Sequence, residues 1–214
     1  MATYVNIPAS SSGGGGQSAF AKRAATLAAS LRAFGDSRYM ALGQYPTGTA
    51  TPAVTPASGD GGGVTATAGN NFYTGTVFNT PKTSPWFVSY RAKITGAFST
   101  GAGQIGIRDT GGSVNDYVLC GFGNAQSTTN FFLTVSHGGT TTSQTSSVAL
   151  DNNTHDHSLY YDGSTTLNYY VDGVLASTLT NLANFPQTNQ AIDIIPGAPN
   201  TVITYELYWA FTPP

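Results

Sequence analysis

Two histidines and an aspartate are the most closely spaced side chains that could do chemistry. His155, Asp156 and His157 supply imidazole and carboxylate groups, which are metal ligands. On a strand, His155 and His157 project to the same side, because side chains alternate with a period of two. No third ligand is evident, so two interpretations stay open: part of a metal site, or a half-buried structural pair.

Acid–base and nucleophilic catalysis have few candidates in this sequence. Glycoside hydrolysis needs two carboxylates that flank the scissile bond, whereas the chain has a single glutamate, Glu206, and its aspartates fall mainly in turn sequences. Gly35, Asp36 and Ser37 resemble the nucleophile motif of an esterase family, but that motif follows a strand and a helical pattern precedes it here. We therefore predict that Asp36 and Ser37 form a turn and that the chain is not an enzyme and needs no cofactor.

Sugar binding would use exposed aromatic side chains beside asparagine or aspartate on loops. The possible glycan contacts of this kind are Tyr73, Asn115, Asp116 and Tyr117. The alternative is that the 12 tyrosines are mostly sheet and core residues, because tyrosine is enriched in strands.

The elements that would position these residues are strands. Short alternating segments between turn sequences predict strands over 71–78, 86–94, 103–108, 116–121, 130–136, 147–150, 157–162, 166–171, 191–195 and 203–211. In the last of these, alternation predicts one face with Ile203, Tyr205, Leu207, Trp209 and Phe211 and another with Thr204, Glu206 and Tyr208.

The clearest pattern is a hairpin in 154–175. Alternation places two sets of residues on one face each: His157, Leu159 and Tyr161, then Leu167, Tyr169 and Val171. Asp162-Gly163 and Asp172-Gly173 are dipeptides that tolerate positive φ and are typical of turns.

This hairpin resembles the central hairpin of the laminin-G/concanavalin-A-like family. In that family a strand that begins near a histidine ends in Asp-Gly, and the next strand reads Leu/Tyr-Val-Asp-Gly. The chain departs from the pattern at Asp156, where the family often has His or Trp-His. The resemblance covers roughly 70–214 and implies an all-β fold, a two-sheet antiparallel jelly-roll sandwich, which we assign to a domain over 64–214. It does not imply a function, because the fold carries lectins, glycosidases and structural modules.

Two further expectations come from the resemblance alone. Relatives sometimes bind calcium at the rim of the sandwich, which makes Asp109, Asp116 and Asp151 possible ligands. Enzymatic relatives carry a Glu-x-Asp-x-x-Glu-like strand, and the neighbours of Glu206 do not reproduce it.

Composition and charge restrict the partners. Only 8% of the 214 residues are charged, and the single cysteine, Cys120, excludes an internal disulfide. All eight Lys and Arg lie at or before Arg108, whereas eight of the ten acids follow it. The basic half lacks the interleaved Arg/Lys and aromatic residues of a nucleic-acid site, so we predict no nucleic-acid partner. No apolar run approaches the ~20 residues of a membrane span, and the first residues do not read as a secretion signal.

Residues 1–63 predict an arm rather than part of the sandwich. The segment 17–34 has the composition of a helix, with an apolar stripe of Phe20, Ala24, Leu27, Leu31 and Phe34. A glycine run precedes it, and a Pro/Thr/Ala/Gly-rich linker over 46–63 follows it. The stripe packs either on its own sandwich or on a neighbouring subunit.

An arm with an amphipathic helix joined to a Gly/Thr/Ser-rich sandwich resembles bacteriophage virion proteins. The resemblance implies a capsid-decorating or cement protein, or a head fibre, located in the virion. Its partners would be capsid or other virion proteins and further copies of itself, with Phe20, Leu27, Leu31 and Phe34 at the interface. The alternatives are a glycan-binding receptor adhesin of a tail fibre, which would contact a host-surface glycan, and a glycoside or ester hydrolase.

Overall fold

The structure, a computed structural model, describes residues 36–41, 55–56, 64–66, 72–73, 85–109, 116–186, 190–197 and 201–211. Within these ranges every element is a strand: β1 Asp36–Ala41, β2 Thr55–Pro56, β3 Val64–Ala66, β4 Phe72–Tyr73, β5 Trp86–Thr95, β6 Ala102–Asp109, β7 Tyr117–Gly123, β8 Ser127–His137, β9 Thr140–Ala149, β10 Thr154–Tyr161, β11 Leu167–Val171, β12 Val174–Leu179, β13 Gln190–Gly197 and β14 Thr201–Phe211. None of the described residues belongs to a helix long and apolar enough to cross a bilayer.

The strands form two antiparallel sheets. The eight-stranded sheet has the order β12-β11-β10-β5-β14-β3-β2, with β1 also paired to β14. The six-stranded sheet has the order β4-β13-β6-β7-β8-β9. Neighbours that are distant in sequence, such as β10 beside β5, show the crossovers of a jelly-roll-like sandwich. The predicted fold class is confirmed.

The core lies between the two sheets and is rich in aromatic residues. Alternate residues of β5 are buried, and those of β6, β7 and β8 face them from the other sheet. The largest fully buried side chains include Trp86, Tyr90, Phe122, Phe131, Tyr161, Tyr169 and Phe185. Full burial of one such side chain contributes roughly 1.5–3 kcal/mol, which makes this interface the main source of stability.

Two hairpins use the turn chemistry that their sequences indicate. Asp172 and Gly173 connect β11 to β12 with φ of 51° and 80°, as a type I′ turn requires. Gly138 and Gly139 connect β8 to β9 in the same way, with φ of 57° and 82°. The predicted faces of β10 and β11 are also correct. The residues between the predicted ones are partly exposed, and the residues predicted to share a buried face are all buried: His157, Leu159, Tyr161, Leu167, Tyr169 and Val171.

The segment after the predicted helix differs from expectation. Asp36 and Ser37 do not form a turn; they begin β1, which pairs with β14 in the register Asp36↔Phe211 to Ala41↔Glu206. Local turn propensity is overridden by the free edge that β14 offers to the chain. The helix over 17–34, with Phe20, Leu27, Leu31 and Phe34, lies outside the described residues, and the division of the chain at residue 63 stays a prediction.

Strand β14 also differs from its predicted pattern. A bulge between Thr204 and Glu206 shifts its register against β5, so that Ile203 lies opposite Lys93 while Leu207 lies opposite the core residue Tyr90. The bulge therefore interrupts the continuous alternation that the sequence predicts for this strand, because an extra residue shifts the pairing.

Candidate functional site

One cross-strand row of the six-stranded sheet combines an arginine, a tyrosine and two hydroxyl side chains. Arg108 pairs with Tyr117, Tyr117 with Ser136, and Ser136 with Thr141. We call these four residues the rim row. They alternate with core residues, and they stand where β6 and β8 end and β7 and β9 begin. The row therefore lies on the outer face of the sheet, at one end of the sandwich.

Arg108 is held by a fully buried carboxylate. Its Nε lies 2.8 Å from Oδ2 of Asp193, and the two side chains are 14% and 0% exposed. This contact is an ion pair without hydrogen-bond alignment, because neither Asp193 oxygen has a hydrogen-bond partner. Burial raises the pKa of Asp193 to about 7, against the opposing effect of the Arg108 charge. Asp193 thus fixes the guanidinium through Nε, and the terminal nitrogens have no partner among the described residues.

Tyr117 stands between the arginine and the hydroxyls. The Arg108 guanidinium carbon lies 5.6 Å from the centre of the Tyr117 ring, within the range of a cation–π contact. On the other side, the Tyr117 hydroxyl is 3.4 Å from Oγ1 of the exposed Thr141. The half-buried ring is therefore fixed at both ends while its hydroxyl stays at the surface.

The outer face becomes covered immediately inside the rim row. Leu119, Phe132 and Thr134 are on the same face of the sheet as the rim row, because they are two or four residues from it along their strands. Their side chains are at most 2% exposed. Thr134 accepts a 2.8 Å hydrogen bond from the Ser143 hydroxyl. Ser136 of the rim row is itself 1% exposed, so a ligand from solvent reaches Arg108, Tyr117 and Thr141 but neither Ser136 nor the centre of the face.

Asp116 supports the rim from the adjacent turn. It is 3% exposed, and its Oδ1 accepts a hydrogen bond of 2.8 Å from the backbone N–H of Gly138. Its Oδ2 lies 2.8 Å from Nδ1 of His137, whose side chain is 43% exposed. One carboxylate therefore ties the start of β7 to the β8–β9 turn and orients the His137 ring.

The four predicted glycan contacts are placed as follows. Tyr117 belongs to the rim row, and Asp116 stands beside it as a buried support with both oxygens engaged. Tyr73 lies in the same sheet, opposite Asp193 in register. Asn115 lies outside the described residues. Sequence reasoning missed Arg108 and Asp193, whose pairing joins residues far apart in the chain.

His155 and His157 lie at the opposite end of the sandwich, and their contacts are with other residues of the protein. Nε2 of His155 lies 2.8 Å from Oδ1 of Asp151, and its Nδ1 lies 2.7 Å from Oδ2 of Asp172. Oδ1 of Asp172 accepts the backbone N–H of Asp156 at 2.9 Å. We call Asp151, His155 and Asp172 the histidine clamp. It connects the β9–β10 loop to the β11–β12 turn.

His157 is a core residue. It is 1% exposed, and its Nδ1 lies 2.7 Å from the hydroxyl of Tyr169, on whose ring it stacks. Phe131 packs edge-on against both histidines. The interpretation of His155 and His157 as a structural pair is therefore the one that the geometry supports.

Neither a shared metal site nor a calcium site assembles from the predicted ligands. The described residues contain no group of three His, Cys, Asp or Glu side chains placed to hold an ion. Asp116 and Asp151 lie at opposite ends of the sandwich and are each engaged by a histidine. They cannot share one calcium ion, and the side chain of Asp109 lies outside the described part of the structure.

The histidine clamp makes stability depend on pH. Burial lowers the pKa of His155, but the two carboxylates outweigh it, so the pKa is raised above 6.5. Burial raises the pKa of Asp151, but its hydrogen bonds outweigh it, so the pKa is lowered below 3.8. The contribution of His155 to the free energy of unfolding is complete below pH 6.5 and is lost as the pH rises through its raised pKa. That of Asp151 is present above pH 3.8 and is lost as the pH falls.

We expect the wild-type free energy of unfolding to decrease by about 1 kcal/mol between pH 6 and pH 9 through this clamp. His155→Gln should remove the clamp's part of the pH dependence, because glutamine does not titrate, whereas Asp193, with a pKa of about 7, titrates in both proteins. The measurement is urea denaturation of both proteins at the two pH values. An unchanged pH dependence in His155→Gln would show that other groups cause it.

Comparison with known proteins agrees with the fold. No family model and no curated protein sequence matches the chain. A solved structure of botulinum neurotoxin type C, whose cell entry depends on interaction with two ganglioside molecules, is similar with a TM-score of 0.61 and 10% identity over 86% of this chain and 49% of that one. The binding domain of botulinum neurotoxin DC, in complex with SialylT, has a TM-score of 0.54 and 10% identity over 82% and 42%. A native glycosidic hydrolase has a TM-score of 0.50 and 14% identity over 82% and 90%.

At these identities the similarity shows the fold alone. The chain is a two-sheet β-sandwich like these structures, and it spans about half the length or less of the two neurotoxin chains. A binding domain and a glycosidic hydrolase both have this fold, so function depends on the side chains of the site.

Proposed function

We propose that the sandwich is a non-enzymatic carbohydrate-binding module and that the rim row is its sugar-contacting surface. The observation that carries the proposal is the fixed, half-buried Tyr117 between the Arg108 guanidinium and the Thr141 hydroxyl. An aromatic ring with a polar tip provides apolar area for a sugar ring and hydrogen bonds for its hydroxyls. Because Asp193 and Asp116 hold the neighbouring side chains, little entropy is lost when a ligand binds.

The solved structures support the class of ligand. The first is associated with ganglioside interaction and the second is a binding domain in complex with SialylT. The hydrolase is less similar, and the rim row itself holds no pair of carboxylates that could flank a glycosidic bond.

Replacement of Tyr117 tests the proposal. Tyr117→Ala should reduce the affinity for a glycan selected from an array by at least about 10-fold, because central aromatic side chains dominate binding energy. The affinity is measured by isothermal titration with the selected glycan. Tyr170→Ala is the matched control, since Tyr170 is a partly buried tyrosine of the eight-stranded sheet. The assignment of the rim row would be contradicted if both variants lost affinity for the glycan equally, or if neither variant lost affinity.

We also propose, from the sequence pattern of residues 1–35, that this segment attaches the sandwich to a particle. The particle is a phage capsid, which the protein decorates as a cement protein or short head fibre, with further copies of the chain in contact. The supporting observation is that the strand directly after this segment, β1, pairs with β14 over six residues, from Asp36 opposite Phe211 to Ala41 opposite Glu206. Its apolar stripe of Phe20, Leu27, Leu31 and Phe34 is the contacting surface.

Truncation after residue 35 is the test, because truncation after residue 63 also removes β1 and β2 from the sheet. A chain of residues 36–214 should stay folded and soluble but no longer oligomerise or join the particle. Light scattering and capsid co-sedimentation measure this. Leu27→Glu in the full chain is a second variant, which should also lose assembly although the length of the chain is unchanged. Unchanged assembly of both variants would show that the sandwich itself forms the interface.

A further inference from the structure

We infer that the rim row selects acidic glycans, because the terminal nitrogens of Arg108 receive an oxyanion of the sugar, a carboxylate or a sulfate. The inference rests on the proposed function and adds the class of ligand. It depends on the way Arg108 is held.

The guanidinium has five N–H donors in a planar fork, and Asp193 approaches only its Nε side. Asp193 is fully buried, and neither of its carboxylate oxygens has a hydrogen-bond partner among the described residues, so its one contact with the guanidinium is at Nε. Tyr117 supports one face of the guanidinium plane. The edge that remains has the geometry for a bidentate contact with a carboxylate or sulfate.

The strands of this sheet contain two acids, Asp109 and Asp193, and a single permanently charged basic side chain. Arg108 is the only Lys or Arg in the six strands of its sheet. Asp193 is paired with Arg108 itself, Asp116 is engaged by His137 and Gly138, and Asp109 follows Arg108 in β6. An acidic group of a ligand would therefore find one positive site, with a defined position in the row.

The length of the row suits an oligosaccharide. Four adjacent strands separate Arg108 from Thr141 by about 14 Å, at about 4.8 Å for each strand spacing. An acidic sugar at Arg108 would place the next ring along Tyr117 and Thr141, where two hydroxyls lie 3.4 Å apart.

The experiment uses the full chain on an array printed with pairs of glycans that differ only in an acidic sugar. The pairs include carboxylated sugars with their carboxyl-reduced forms and sulfated sugars with their desulfated forms. We expect the acidic member of a pair to bind at least about 10-fold more tightly, and the two kinds of pair distinguish carboxylate from sulfate. Arg108→Lys should lose about 10- to 100-fold for the acidic member, since lysine keeps the charge but not the fork.

Lys93→Gln is the matched control, because it removes one positive charge from the other sheet and should bind as the wild type does. Thermal melting of each variant separates loss of binding from loss of folding, and the paired glycans test the wild type without any substitution. Equal binding within the pairs would overturn the inference and leave the proposed function standing. Binding to no glycan would overturn both.

Discussion

Gly106→Ala should destabilise the sandwich by more than about 3 kcal/mol. Gly106 lies in the middle of β6, between Asp193 of β13 and Leu119 of β7. A Cβ atom there would overlap the backbone carbonyl oxygen of Val118 and lie 2.9 Å from the Cα of Leu119. Backbone cannot move aside as the end of a side chain can, so β6 and β7 would have to separate at the base of the rim row.

The measurement is the free energy of unfolding in urea. Gly138→Asn is the control, because no atom lies within 4 Å of a Cβ at Gly138, and asparagine tolerates its φ of +57°. The explanation is incorrect if Gly106→Ala is as stable as the control. We also expect Gly106→Ala to weaken glycan binding, since it displaces Arg108 and Tyr117 relative to each other.

Phe185→Ala should cost about 3–5 kcal/mol. The Phe185 side chain is fully buried, stacks on Tyr161 at 4.5 Å between ring centres and lies 6.2 Å from the ring of Trp86. It is introduced into the core by a turn in which its N–H donates to the carbonyl of Leu182. Its removal leaves a cavity among rings that belong to two different strands and cannot collapse together.

The same urea titration measures this effect, and Leu175→Ala is the control. Leu175 is 51% exposed, so its truncation should change stability by less than about 0.5 kcal/mol. Similar losses for the two variants would mean that the segment after β12 does not close the core as described.

The part of the fold that the sequence predicts is the part with a local signal. The β10–β11–β12 meander was predictable because apolar residues alternate and because Asp172-Gly173 suits the turn that it forms. Strand β9 was predicted only over 147–150, although it begins at Thr140. It is an edge strand whose first half consists of Thr, Ser and Gln and is mostly exposed on both faces. It therefore lacks the alternation of apolar and polar residues from which a strand is predicted.

The remaining differences come from tertiary contacts that no local pattern encodes. The bulge near Glu206 and the pairing of β1 with β14 are set by the neighbouring strand. The Arg108–Asp193 pair joins residues that lie on strands β6 and β13, which are adjacent only in the folded sheet. Tyr117 was predicted from residue type and neighbours, whereas its arginine was not, because the partner that orients a side chain is visible only in three dimensions.

The histidine clamp shows the same limit. His155 and His157 were predicted to share a side, and the ring centres lie 6.0 Å apart. What they do there depends on Asp172, which reaches His155 from the next hairpin turn. The sequence pattern alone is compatible with either a metal site or a structural pair. The contact between His155 and Asp172 identifies the structural pair.

The central claim is that a glycan binds along the rim row, and the most direct measurement is the mapping of a bound glycan by NMR. The full chain, labelled with ¹⁵N, is titrated with the best acidic glycan from the array, and the shifts of the backbone amides are followed. We expect the largest shifts in 104–108, 117–119 and 134–141, with small shifts around the histidine clamp at the other end of the sandwich. Saturable shifts confined to 151–156 and 172–175, or to the eight-stranded sheet, would contradict the account and place the binding surface elsewhere.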